Sequence, residues 1–216
     1  MQRVTISFDN GPSGGHTAAI LDLLAQRRVP ASFFVVGEEF DKPDGRRCLE
    51  RAKAEGHWIG NHTLTHGEPL GTVDDPGRPA REIGAMQDRI GDLAHPDRFF
   101  RPNGGGTMGQ HLLSRAAVDY LAEGRYTVVT WNNVPGDWIE PQREWVDRAL
   151  ATMTDQEWSL LVIHDFLVAP MLPTLDRFLD EVAARNVAVV QEFPADCLPM
   201  VRGEATDRLP LVSMPA

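Results

Sequence analysis

Cysteine is scarce in this 216-residue chain. Only Cys48 and Cys197 occur, without metal-binding spacing, so they read as ordinary thiols and no disulfide framework is expected. A surplus of positive charge is also missing: 31 Asp and Glu stand against 21 Lys and Arg, a formal net charge of −10. That balance argues against nucleic acid as a partner and leaves no basic patch for an anionic membrane. No window approaches eighteen uncharged apolar residues, which excludes a transmembrane helix as a reading of the sequence. The opening MQRVTISFDN has no basic n-region, no long apolar stretch and no small-residue cleavage site, so a cytoplasmic location is expected. Internal repeats and low-complexity tracts are absent as well.

What the chain does have is the apolar content of a globular protein, 42%, and enough length for one domain spanning residues 1–216 to bury a core without staples. Short runs rich in β-branched and aromatic residues predict seven strands, at Val4–Phe8, Ala31–Val36, Trp58–Asn61, Arg98–Arg101, Thr127–Trp131, Ser159–His164 and Val187–Gln191. Between them apolar residues recur at helical spacing, as in Ile83, Met86, Ile90 and Leu93, or Leu175, Phe178, Leu179 and Val182. Pro141 is placed to be a first helical residue, and Gly56 to stop the helix before it. Residues 67–79 and 103–109, rich in turn formers, read as surface loops, and residues 193–216 as an extension wrapping the outside. Alternating strands and helices imply an α/β fold with a parallel sheet, either doubly wound or closed into a barrel; spacing alone does not choose.

In such folds ligands sit beyond the C-terminal ends of the strands. Those ends carry Asp9 and Asn10, His62 and His66, Arg101, Trp131 followed by Asp137 and Trp138, and His164 with Asp165. His62 and His66 are four apart, so a helical turn would set both imidazoles on one face for a single divalent ion. Duller readings exist for each. Asp9 before Asn-Gly suits a tight turn, Arg101 a structural ion pair, His164 a core histidine, Asp137 a helix start and Trp138 the core.

Taken together and in order, SFDNGP, GNHTLTH, FRPNGG, PGDW and LVIH resemble the five signature motifs of the polysaccharide deacetylases, carbohydrate esterase family 4, over Val4 to about Gln191. The resemblance implies a single-domain distorted (β/α)7 barrel of parallel strands, in agreement with the strand count. It implies that Asp9 is the base that activates water, that Arg101 orients it, and that His164 is the acid for the departing amine. Asp137 falls where the family has a charge partner of the catalytic groups, and Trp138 where it has a groove wall. Asn10, His62 and His66 fall on the ligands of a divalent metal, zinc being the expected one, and Asn103 and Gly104 on the floor of the substrate pocket. The implied activity is metal-assisted removal of an acyl group, acetyl above all, from an N-acylated amino sugar or short oligosaccharide.

Three departures bear on that expectation. Asn10 stands where the family has a metal-binding Asp, and an amide oxygen without charge holds a hard cation more weakly. Asn103 and Gly104 replace a proline and a bulky aromatic residue, which predicts a wider floor. Val134 stands where an additional Asp is common. Two alternatives follow: a C–N hydrolase of a cyclic imide or ureide, allantoinase-like, with little or no metal; and an inactive carbohydrate-binding domain. The sequence leaves the oligomeric state open, a homo-oligomer included.

Overall fold

The computed structural model describes residues 1–215. Along β1 (Arg3–Gly11) side chains alternate between two environments, as the period of a strand requires. Val4, Ile6 and Phe8 enter the main apolar core, while Ser7 and Asp9 turn the other way, toward Arg101. From β1 the chain runs through α1 (Gly15–Arg27), β2 (Ser32–Val35), α2 (Gly37–Phe40), α3 (Gly45–Ala54) and β3 (Trp58–Asn61). A long loop and a π-helical turn then lead to α4 (Ala85–Ile90), followed by β4 (Phe99–Phe100), α5 (Arg115–Glu123) and β5 (Thr127–Val128). The last third holds α6 (Trp145–Met153), β6 (Trp158–His164), α7 (Asp165–Val168), α8 (Leu172–Ala184), β7 (Ala188–Val189), β8 (Met200–Val201) and β9 (Glu204–Ala205).

Strands β1 to β7 pair with one another only in parallel, in agreement with the α/β class and the expected seven. The sheet runs β6-β1-β2-β3-β4-β5, with β7 beside the first residues of β1, and a parallel bridge between Asn133 and Leu161 brings the chain after β5 back to β6. The result is a distorted, incompletely paired barrel with helices outside. Phe8 stacks on Phe33 with ring centroids 5.1 Å apart, and Ile20 and Leu24 of α1, Leu49 of α3 and Phe178 of α8 close the same core. Each such side chain contributes roughly 1.5–3 kcal/mol by burial.

Four details differ from the sequence expectation. β4, β5 and β7 are two-residue ladders, because beyond them the backbone leaves its strand neighbour: Thr130 N–H, for example, donates to Cys197 instead. The C-terminal extension does more than wrap the outside, since β8 pairs antiparallel with β5 and β9 with β8, covering a sheet edge that would otherwise be unpaired. Pro141 stays extended just ahead of a 3-10 turn, Gln142–Glu144, so the helix begins at Trp145. Residues 62–66 form no helical turn. Gly56 does follow the end of α3, at φ 89°, where its lack of a side chain removes the steric cost.

Candidate active site

Asp9, near the end of β1, and His164, the last residue of β6, are Cα partners in the parallel ladder between the two strands, so their side chains leave the sheet together. Both line a pocket of about 250 Å³ at the C-terminal ends of the strands, with Asn10, His62, His66 and Trp138. Adjacent residues of a regular strand face opposite ways, yet Asp9 and Asn10 share this pocket. The reason is a bulge: Asp9 pairs with Phe34 and Gly11 with Val35, leaving Asn10 as the extra residue, at φ 67°. Asn tolerates that left-handed conformation better than most residues.

Asp9 is 4% exposed, and Arg101 lies wholly buried beneath it. Arg101 Nη1 donates to Asp9 Oδ1 at 2.6 Å and to the Ser7 hydroxyl at 2.8 Å, and the guanidinium sits 3.8 Å from the centre of the Phe34 ring. Burial alone would raise the Asp9 carboxyl, but Arg101, His62 and His164 outweigh it and hold Asp9 below the usual carboxylate range.

On the other side, Asp137 is fully buried and accepts from the His164 backbone N–H at 2.8 Å and from its Nδ1 at 3.0 Å. A carboxylate only accepts, so Nδ1 carries the hydrogen and Nε2 is the nitrogen that gains and loses a proton. Burial disfavours the imidazolium, but the Asp137 hydrogen bond and charge, with Asp9 and Asp165 behind them, raise His164 above the ordinary histidine value. Trp138, 44% exposed, meets the His164 ring edge-on at 5.5 Å and forms a wall of the pocket instead of joining the core.

His62 and His66 lie with ring centroids 5.0 Å apart, brought together by a loop and not by the helical turn their spacing suggests. Thr63 and His66 both have positive φ, 73° and 50°. Asn61 supports that geometry, accepting from Thr63 N–H and donating to Ile83 C=O, each at 2.9 Å, while the Thr63 hydroxyl accepts from His66 N–H. His62 Nδ1 lies 2.8 Å from the Arg101 carbonyl, which can only accept, so Nε2 offers its lone pair 3.6 Å from Asp9 Oδ2. Burial pulls His62 down to about 4 and lowers His66 as well, so both are neutral imidazoles, the form that binds metals.

Among the described residues no group of three His, Cys, Asp or Glu is arranged to hold a metal ion. The residues fit one when the amide is counted: Asn10 Oδ1 is buried with no hydrogen-bond partner among the described residues, an acceptor left open beside two imidazoles.

One residue expected in the pocket is elsewhere. Asn103 is buried and donates to the Gly67 carbonyl, bracing the 103–109 loop against the loop after His66, because its side chain leaves the backbone away from the cavity that Gly104 lines. Two residues with no role assigned from sequence support the site. Asn61 is one, hidden in GNH by its ordinary place at a strand end. Asp165 is the other: its buried carboxylate accepts from Ser13 N–H and hydroxyl, at 3.2 and 2.9 Å, and from the Thr17 hydroxyl, anchoring the turn after Asn10. Its position next to His164 is the only signal the sequence offers for it.

The sequence model described as polysaccharide deacetylase matches residues 1–129. A chitooligosaccharide deacetylase of Rhizobium leguminosarum bv. trifolii is 33% identical over 166 residues, 76% of this chain and 72% of that protein. A peptidoglycan-N-acetylglucosamine deacetylase of Bacillus cereus is 32% identical over 62% of this chain and 46% of its own length. In fold, the chain is similar to a family 4 carbohydrate esterase from Streptomyces lividans solved with acetate, with a TM-score of 0.72 and 22% identity over 93% of this chain and 97% of that one. The chain belongs to the polysaccharide deacetylase family and is a deacetylase-like hydrolase acting on carbon–nitrogen bonds.

Proposed function

We propose that the chain hydrolyses the N-acyl group of an amino sugar within a short oligosaccharide, with Asp9 as the base and His164 as the acid. The observation that carries this reading is the pairing of those two residues, side by side in register on one pocket and set electrostatically apart. Amide hydrolysis needs a proton taken from water and another given to nitrogen, hence two titrating groups with separated pKa values. Asp9, kept ionised by Arg101, accepts the proton of water as its oxygen attacks the acyl carbon. His164 Nε2, kept protonated by Asp137, donates to the nitrogen as the C–N bond breaks, giving an amine and a carboxylate. Trp138 offers an exposed face against which a sugar ring can lie.

Asn10, His62 and His66 would hold a divalent cation, zinc being the expected one, which when bound polarises the acyl carbonyl and the attacking water. The chitooligosaccharide and peptidoglycan deacetylases named above favour this reading over a cyclic amide substrate. A binding module has no use for a separated acid and base. The test is Asp9→Asn assayed on N-acetylchitooligosaccharides: kcat falls about 10²–10⁴-fold with the fold retained by circular dichroism. Undiminished turnover by that variant removes Asp9 from the role of base.

A further inference from the structure

Arginine and a carboxylate often pair through two parallel N–H···O bonds, a fork that occupies both carboxylate oxygens. Arg101 and Asp9 do not pair that way. Both are buried, and they meet at one point, where Nη1 donates to Oδ1 at 2.6 Å. The reason lies in the other neighbours of the guanidinium. Nη1 carries two hydrogens, and the second goes to the Ser7 hydroxyl at 2.8 Å. Nε and Nη2 turn to the backbone carbonyls of Val129 and Thr130, at 3.3 and 3.4 Å, and the guanidinium carbon lies 3.8 Å from the centre of the Phe34 ring.

Ser7 is placed to hold this arrangement. It stands two residues before Asp9 on β1, so the two share a face of the strand, and it is fully buried without lining the pocket. Its own hydrogen is committed to the Leu161 carbonyl of β6 at 2.7 Å, so the hydroxyl meets Arg101 as an acceptor and has no proton left for Asp9. The bonds from Arg101 to Ser7 and Asp9 are its two short ones, so these acceptors fix the head group. With Nη1 shared between them, Asp9 Oδ2 keeps its lone pairs for the pocket that Asp9 lines.

We infer that Ser7 is a positioning residue of the hydrolytic reaction: by taking the second Nη1 hydrogen of Arg101 it keeps that side chain on one oxygen of Asp9, and leaves the other oxygen to receive the proton of water. The inference rests on the reading of Asp9 as the base. Ser7 touches neither substrate nor reacting atoms and acts only through Arg101. In its absence one Nη1 hydrogen loses its acceptor in a site closed to solvent, and the ion pair closes into the fork that ties up both oxygens.

The experiment measures kcat and KM of purified Ser7→Ala on N-acetylchitooligosaccharides with zinc supplied. kcat is expected to fall about tenfold or more, the size of one lost hydrogen bond to a charged group, with KM unchanged within about twofold. Ser7→Cys is close to serine in size but a weak acceptor, so it shows the same loss and gives the answer should Ser7→Ala not fold. Ser7→Thr keeps the hydroxyl and is expected to retain kcat within about threefold. In an Asp9→Asn background Ser7→Ala lowers the residual turnover no further, whereas a residue that only supports the fold would cost the same in both backgrounds. The crystal structure of Ser7→Ala is expected to show Arg101 on both oxygens of Asp9. Undiminished kcat in Ser7→Ala and Ser7→Cys, equal losses in Ser7→Thr and Ser7→Ala, or an ion pair that still meets only at Oδ1 each overturn the inference and leave Asp9 as the base. Undiminished turnover by Asp9→Asn overturns that reading and the inference together.

Discussion

Asp137 holds His164 twice, through the backbone N–H at 2.8 Å and through Nδ1 at 3.0 Å, from a position with no exposure to solvent. The carboxylate thereby sets the ring's orientation, its tautomer and its charge. This is the same logic by which a buried acid orients a catalytic imidazole elsewhere.

Because His164 is raised above the ordinary histidine value of 6.5, the acid remains protonated beyond that pH. The kcat profile is expected to fall on the alkaline side with a midpoint above 6.5. In Asp137→Asn, burial is no longer offset, so the midpoint moves to lower pH and kcat at pH 8 drops about 10²-fold. A profile with the same alkaline midpoint in both proteins would remove His164 from the role of acid. The sign for stability follows the same shift: the pair stabilises the fold below about pH 6.5, and that contribution is lost as pH rises through the raised value.

Arg101 and Asp9 are a buried ion pair, and each is the other's compensation. Arg101→Met leaves a carboxylate without its counter-charge and is expected to cost about 3–5 kcal/mol in urea unfolding. Asp9→Asn combined with Arg101→Met should recover part of that loss. Strictly additive single-variant effects would show that the pair is not energetically coupled.

Asn10 supplies an uncharged oxygen where a carboxylate would attract a cation more strongly. Asn10→Asp is therefore expected to tighten zinc binding by about tenfold or more, read by competition with a chromophoric chelator. Affinity unchanged by the added charge would show that position 10 does not reach the metal.

Asn61 does not line the pocket, yet its two side-chain hydrogen bonds hold the left-handed Thr63 that starts the loop between the histidines. Asn61→Ala is expected to destabilise the protein by about 1–3 kcal/mol through the polar groups it leaves unpaired. It should also weaken zinc binding about 10–100-fold, the usual effect of losing a residue that orients ligands. Isothermal titration with zinc separates the two effects: weaker binding in a variant that is still fully folded at the assay temperature identifies a positioning role. Unchanged zinc affinity confines Asn61 to stability.

Much of this was legible in the chain itself. Strand and helix alternation is a local signal, and the inward face of Ser7 and Asp9 follows from a period of two, so the fold class and the clustering of Asp9, His62, Arg101 and His164 at one end could be read without coordinates. The seven parallel strands were legible for the same reason, although their lengths were not: pairing of β4, β5 and β7 depends on neighbours from elsewhere in the chain.

What only the tertiary structure decided involves partners remote in sequence or backbone that departs from its period. The bulge that turns Asn10 into the pocket is set by the register of β1 against β2, and the meeting of His62 and His66 by a loop braced through Asn61 to Ile83. Asn103 belongs to the loop framework and not to the pocket, because its partner Gly67 is 36 residues away. The β8–β9 hairpin owes its place to an open edge of β5 that no local pattern announces. Residue types therefore specified which chemistry was available, while long-range pairing, of which Arg101 with Asp9 across 92 residues is the plainest case, settled where each group points and what charge it carries.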